Sequence, residues 1–86
     1  MSLNKRPHKE IIAKLVVTKE GKKLGIVKDI TFETRTGELI HIVLKDATDH
    51  SSQLHLEHSN KGEILIPYNS IIAIGDYVVV SEEDLL

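Results

Sequence analysis

Histidines and carboxylates are the side chains here best equipped for chemistry. Four of the five histidines, His41, His50, His55 and His58, lie in the middle of the chain, with Asp46, Asp49 and Glu57 close by. Imidazole beside carboxylate is the raw material of a metal site or of a sensor that titrates near neutrality. The weak metal candidates are His55 and His58. Their spacing of three sends them to opposite faces of a strand, and the alternation of Leu54 and Leu56 with His55 and Glu57 reads as a strand. Structural zinc usually takes four Cys or His ligands, and the chain has no cysteine. Solvated histidines are therefore the expectation, with no metal and no cofactor.

Nucleophiles and phosphate loops fare no better. Ser51, Ser52, Ser59, Ser70 and Ser81 lack the Gly-x-Ser-x-Gly setting of a nucleophile elbow. Gly21 and Gly25 are not followed by the Gly-Lys-Ser/Thr ending of a phosphate-binding loop. The expectation is a chain with no catalytic residues, not an enzyme. Lys5-Arg6-Pro7-His8-Lys9 forms a short basic arm, whose few charges give little phosphate affinity. In the acidic tail, 82–86, Leu85 and Leu86 are candidates to dock on a partner, set against the ordinary fraying of a terminus.

These residues must be carried by a single domain, since 86 residues seldom subdivide. Aromatic content is only 3%, so the core must be aliphatic, built from Ile, Val and Leu. The absence of cysteine excludes disulfides and thiol chemistry and fits a cytoplasmic setting. No apolar run approaches the roughly 20 residues of a membrane helix, and residues 1–10 lack the apolar centre of a signal peptide. The net charge of −2 disfavours a dedicated nucleic-acid binder.

Short β-strands separated by turns are the dominant pattern. Residues 11–18 are rich in β-branched and aliphatic side chains and end at a Lys-Glu-Gly-Lys turn. In 24–34, Leu24, Ile26, Ile30 and Phe32 alternate as in a half-buried strand. Lys28 breaks that series and Val27 falls out of phase, which predicts a bend or bulge. A turn around Gly37 leads into 39–44, where Ile40, Ile42 and Leu44 make the better core face. Residues 46–53 have loop composition. Residues 54–58 and 63–67 form a further pair, with Pro67 marking a strand end. Residues 70–74 read as one helical turn, Gly75-Asp76 as a turn, and 77–81 as the last strand. No window carries the period of a long helix. The pattern predicts an all-β fold, a small closed or nearly closed antiparallel barrel of about six strands. A flexible arm (1–10) precedes the domain (11–81), and the acidic tail (82–86) follows it.

Gly21-Lys22-Lys23-Leu24-Gly25-Ile26-Val27-Lys28-Asp29-Ile30, followed by Thr36-Gly37-Glu38-Leu39-Ile40, resembles the front half of a PRC-barrel domain. Ile64-Leu65-Ile66-Pro67-Tyr68-Asn69-Ser70-Ile71, followed by Ile74-Gly75-Asp76-Tyr77-Val78-Val79-Val80, resembles its closing half. The size is that of the archaeal type in which the barrel is the whole protein. The long polar stretch from 46 to 60 departs from the common pattern. The resemblance implies the small barrel shared by the reaction-centre H subunit and the C-terminal domain of the ribosome maturation factor RimM, used in both as a docking surface. Some stand-alone archaeal relatives are linked to FtsZ-based cell division through the membrane anchor SepF.

Gly21, Gly25, Asp29, Gly37, Pro67, Gly75 and Asp76 are the motif positions, and their expected role is architectural. Gly21 and Gly37 suit positive-φ turns, Gly25 a close backbone approach or a bend, and Asp29 an acceptor for turn N–H groups. The resulting expectation is a cytoplasmic, homodimeric adaptor that binds a protein partner, with archaeal cell division as a setting. An RNA- or ribosome-associated factor is the alternative, and a metal- or ligand-binding sensor built on the histidines is a further one. No membrane insertion is expected.

Overall fold

A computed structural model describes residues 11–54 and 56–85. Seven strands form one sheet: β1 (Leu15–Thr18), β2 (Lys23–Phe32), β3 (Leu39–Lys45), β4 (Glu57–His58), β5 (Ile64–Pro67), β6 (Ile71–Ile74) and β7 (Val78–Val80). The spatial order is β4-β5-β3-β2-β1-β7-β6. All neighbours are antiparallel except β1 and β7, which run parallel.

Three points differ from the sequence reading. The sheet is mixed, because the β6–β7 hairpin returns the end of the chain alongside β1 in the same direction. Among the described residues, no ladder joins β4 to β6, so the sheet curls without being closed by hydrogen bonds. The seventh strand is β6: the expected helical turn instead occupies Tyr68–Ser70 as a 3-10 turn, and Ile71–Ile74 is extended. Its Ile-Ile-Ala-Ile sequence suits a pleated, half-buried surface. Ser70 holds the 3-10 turn in place by donating its hydroxyl to the Pro67 carbonyl at 2.7 Å.

Two bulges in β2 let one long strand serve two parts of the sheet. Leu24 is unpaired in the register with β1, and Lys28 is unpaired in the register with β3. Each extra residue reverses the side-chain phase. The buried positions become Leu24, Val27 and Ile30, while Ile26 is half-buried and Phe32 exposed. The expected bulge at Lys28 is present, but the even-numbered core face does not extend through it. A further register shift leaves Ile40 unpaired and 37% exposed, while Ile42 and Leu44 stay inside.

The inward side chains of β1, β2, β3, β5 and β7 meet in a single aliphatic cluster, joined by Ile11, Leu56 and Leu85. Phe32, Tyr68 and Tyr77 all remain on the surface. Gly25 is needed for space: a Cβ there would lie 2.9 Å from the Lys45 carbonyl oxygen.

The polar stretch after β3 is ordered by hydrogen bonds. Asp49–Ser52 forms one helical turn, N-capped by Thr48, whose side chain accepts from the Ser51 amide. The Thr48 hydroxyl donates to the Lys23 carbonyl at 2.5 Å, and the Thr48 amide to the Leu24 carbonyl at 3.1 Å. The last described residues, Glu82–Leu85, form a 3-10 turn.

Candidate functional site

The histidines disperse. His41, in the middle of β3, faces outward: its Nε2 lies 3.1 Å from Glu57 Oε1 on β4, and its Nδ1 lies 3.5 Å from the Thr31 hydroxyl on β2. His50, in the helical turn, lies 3.1 Å from Glu82 Oε2 and ties that turn to the C-terminal 3-10 turn. His58 is exposed on β4. His55, Leu86 and the basic arm lie outside the described residues. Among the described residues, no three His, Asp or Glu side chains come together as metal ligands.

The motif positions are spread around the scaffold. Gly21 and Gly37 adopt φ of +87° and +77° in the turns before β2 and β3, the region glycine enters without steric cost. Asp29, exposed beside the β2 bulge, accepts from the Ile30 amide at 2.8 Å. Pro67 ends β5, and Gly75 and Asp76 sit in the β6–β7 turn. Leu85, taken from the sequence as a residue offered to a partner, is only 7% exposed and packs in the chain's own core. The acidic tail thus contributes to the fold through the sequence from Glu82 to Leu85. Among the described residues, no helix is long and apolar enough to cross a membrane.

What the spacing of polar residues did not reveal is an apolar surface on the outside of the sheet. Val16, Thr18, Val78 and Val80 point inward and are buried. Their neighbours Leu15, Val17 and Val79 must therefore point outward, and they are half-buried. The register sets these side chains in rows. Leu15 pairs with Ile26, and Val17 pairs with Val79, which in turn pairs with Ala73 on β6. A groove of about 400 Å³ runs over them, lined by Leu15, Val17, Thr18, Lys19, Gly21, Lys23, Tyr77 and Val79. The β1–β2 turn builds one end of it. The Thr18 amide donates to the Lys22 carbonyl at 2.8 Å, and the Thr18 hydroxyl accepts from the Lys22 amide at 3.1 Å. Tyr77, 54% exposed, stands at the β6–β7 end.

The edge of the sheet next to this face is also apolar. Ile72 and Ile74 of β6 are 52% and 37% exposed, and β6 has β7 as its one neighbour in the strand order. The sequence did carry a signal for these surfaces. Leu15-Val16-Val17 and Val78-Val79-Val80 are unbroken apolar runs, the signature of strands covered on both faces.

A small, curled all-β sheet with glycines at its bends and an aliphatic interior defines a barrel-like domain, and comparison with known proteins gives its family. The PRC-barrel domain model matches residues 5–86, and the chain belongs to that family. It is also 34% identical over 83 residues to the uncharacterized protein MJ1118 of Methanocaldococcus jannaschii, an alignment spanning 96% of this chain and 89% of that one.

Proposed function

We propose that this chain is a non-catalytic, homodimeric protein-binding adaptor in the cytoplasm, with archaeal cell division as its setting. The observation that carries this reading is the apolar β6 edge. An edge strand usually protects itself with lysine, proline or a covering element. Ile71–Ile74 has neither lysine nor proline, and Ile72 and Ile74 face solvent. A second copy, related by a two-fold axis, satisfies that edge, since symmetric pairing sets like strand against like strand. Its other faces remain available for a different protein.

The arrangement of charge supports a protein partner over RNA. Outside the turn at 19–23, most described cations have carboxylates beside them: Lys28 pairs with Glu63, Glu33 and Glu38 flank Arg35, and Asp46 follows Lys45. The basic residues thus form a short cluster and not a continuous face. Phosphate binding favours a continuous basic face. Sedimentation equilibrium tests the dimer: the native chain should give twice the monomer mass, and Ile72→Lys should give the monomer. A native chain that stays monomeric contradicts the pairing. Affinity capture with mass spectrometry tests the adaptor role. A stoichiometric protein partner is the expected result, and recovery of nucleic acid alone would overturn it.

A further inference from the structure

We infer that the outward groove of β1 and β7 receives an extended segment of a partner protein that combines apolar and acidic side chains. The inference rests on the adaptor reading and names the chemistry of its partner.

The floor is aliphatic: Leu15, Val17 and Val79, half-buried, offer surface that gains from being removed from water. Tyr77 adds an exposed aromatic wall, a residue type enriched where proteins meet. The groove opens to solvent, and its volume of about 400 Å³ holds a few side chains rather than a globular surface.

Charge defines the occupant further. Lys19 and Lys23 line the groove, and Lys22 stands beside them in the same turn. None of the three forms an ion pair with a described residue. Glu20 is the one carboxylate in that turn, so residues 19–23 carry three positive charges against one negative. The lysines elsewhere with assigned partners are spent on the fold: Lys14 donates to the Gly75 carbonyl and Lys28 to Glu63. Apolar side chains on the Val17–Val79 row therefore place the partner's carboxylates at Lys19 and Lys23. A complementary rim of this kind sets specificity and speeds encounter, and salt weakens it.

The test uses the full chain labelled with nitrogen-15 and two short synthetic peptides. One alternates valine with glutamate, and the other alternates valine with lysine. The glutamate peptide should shift the amide resonances of Val17 and Val79 and the lysine peptide should not. The double variant Lys19→Glu, Lys23→Glu should weaken the glutamate peptide by at least about tenfold and admit the lysine peptide instead. Equal binding of both peptides would overturn the inference, as would shifts confined to β3 and β5. So would an oligouridylate that moves the same amides, or shifts at Val17 and Val79 that depend on protein concentration alone and identify a second copy as the occupant. The capture experiment separates the two readings. A captured protein that still binds the double variant ends the groove assignment while the adaptor stands, whereas failure to capture any protein ends the adaptor itself.

Discussion

The two halves of the sheet share one core and differ on their outer faces. On the β2-β3-β5-β4 side, polar groups bind one another across the strands: Thr31, His41 and Glu57 form a line, and Lys28 meets Glu63. Val43 and Leu65, paired across β3 and β5, are themselves buried. The polar groups of that side thus partner one another, although Phe32, Ile40 and Tyr68 are exposed there. On the β1-β7-β6 side, Leu15, Val17 and Val79 line an open groove, Ile72 is exposed on the edge, and three lysines in the adjoining turn lack an ionic partner among the described residues. Under the proposed reading, external contacts fall on the unfinished half, where the groove and the three lysines lie together, rather than on the half whose polar groups pair across the strands.

The largest effects should ignore this division, because the interior is common to both halves. Ile42→Ala and Leu24→Ala remove side chains with no exposure, Ile42 within β3 and Leu24 where β2 meets β1, and each should lower unfolding stability by about 2–5 kcal/mol in a denaturant titration. A loss confined to one of them would split the single core. Leu85→Ala belongs with them, at about 2 kcal/mol or more, if the C-terminal turn closes the core as its burial indicates. Gly25→Ala comes next. Its Cβ would meet the Lys45 carbonyl and the Leu44 side chain where β2 bends between the halves, and overpacking of this kind costs about 1–3 kcal/mol.

Surface changes should separate the halves. His41→Ala breaks the line on the finished side and should cost up to about 1 kcal/mol. Lys19→Glu and Lys23→Glu should stay within about 0.5 kcal/mol of the native chain, so that any loss of partner binding reflects contact rather than folding.

The smallest effect is electrostatic. Glu63 raises the pKa of Lys28 above the ordinary 10.5, first by accepting its hydrogen bond and then by its charge. A group with a raised folded-state pKa contributes its stability below the unfolded value and loses it as pH climbs through the folded one. Glu63→Gln should therefore lower stability near neutral pH, only slightly because water screens this exposed pair, with the difference from the native chain fading as pH climbs past the Lys28 pKa. It should also bring the Lys28 titration, followed by side-chain NMR, back toward 10.5.

Local pattern made part of this architecture legible. Composition alone implied the aliphatic interior, the phase break at Lys28 marked the bulge, and an in-strand glycine at position 25 marked the close approach. Long-range pairing was less visible. Nothing in Leu15–Thr18 records that Val78–Val80 lies beside it in parallel, and Ile71–Ile74 is too short for periodicity to separate strand from helical turn. The bulges moved Val27 inward and Phe32 and Ile40 outward, changes that a simple alternation cannot anticipate. The candidate surface escaped for a related reason. Attention to histidines and carboxylates favours groups that do chemistry, while the groove is made of ordinary valines whose outward position becomes evident only once their neighbours are seen to fill the core.

Site-specific photo-crosslinking in living cells tests the division between the halves most directly. A photoreactive residue replacing Val79, in the groove, should yield a discrete adduct with another protein, and the same residue replacing His41 should yield none. Adducts from position 41 with none from position 79 would show that the contact face is the self-satisfied half, and the account would be contradicted.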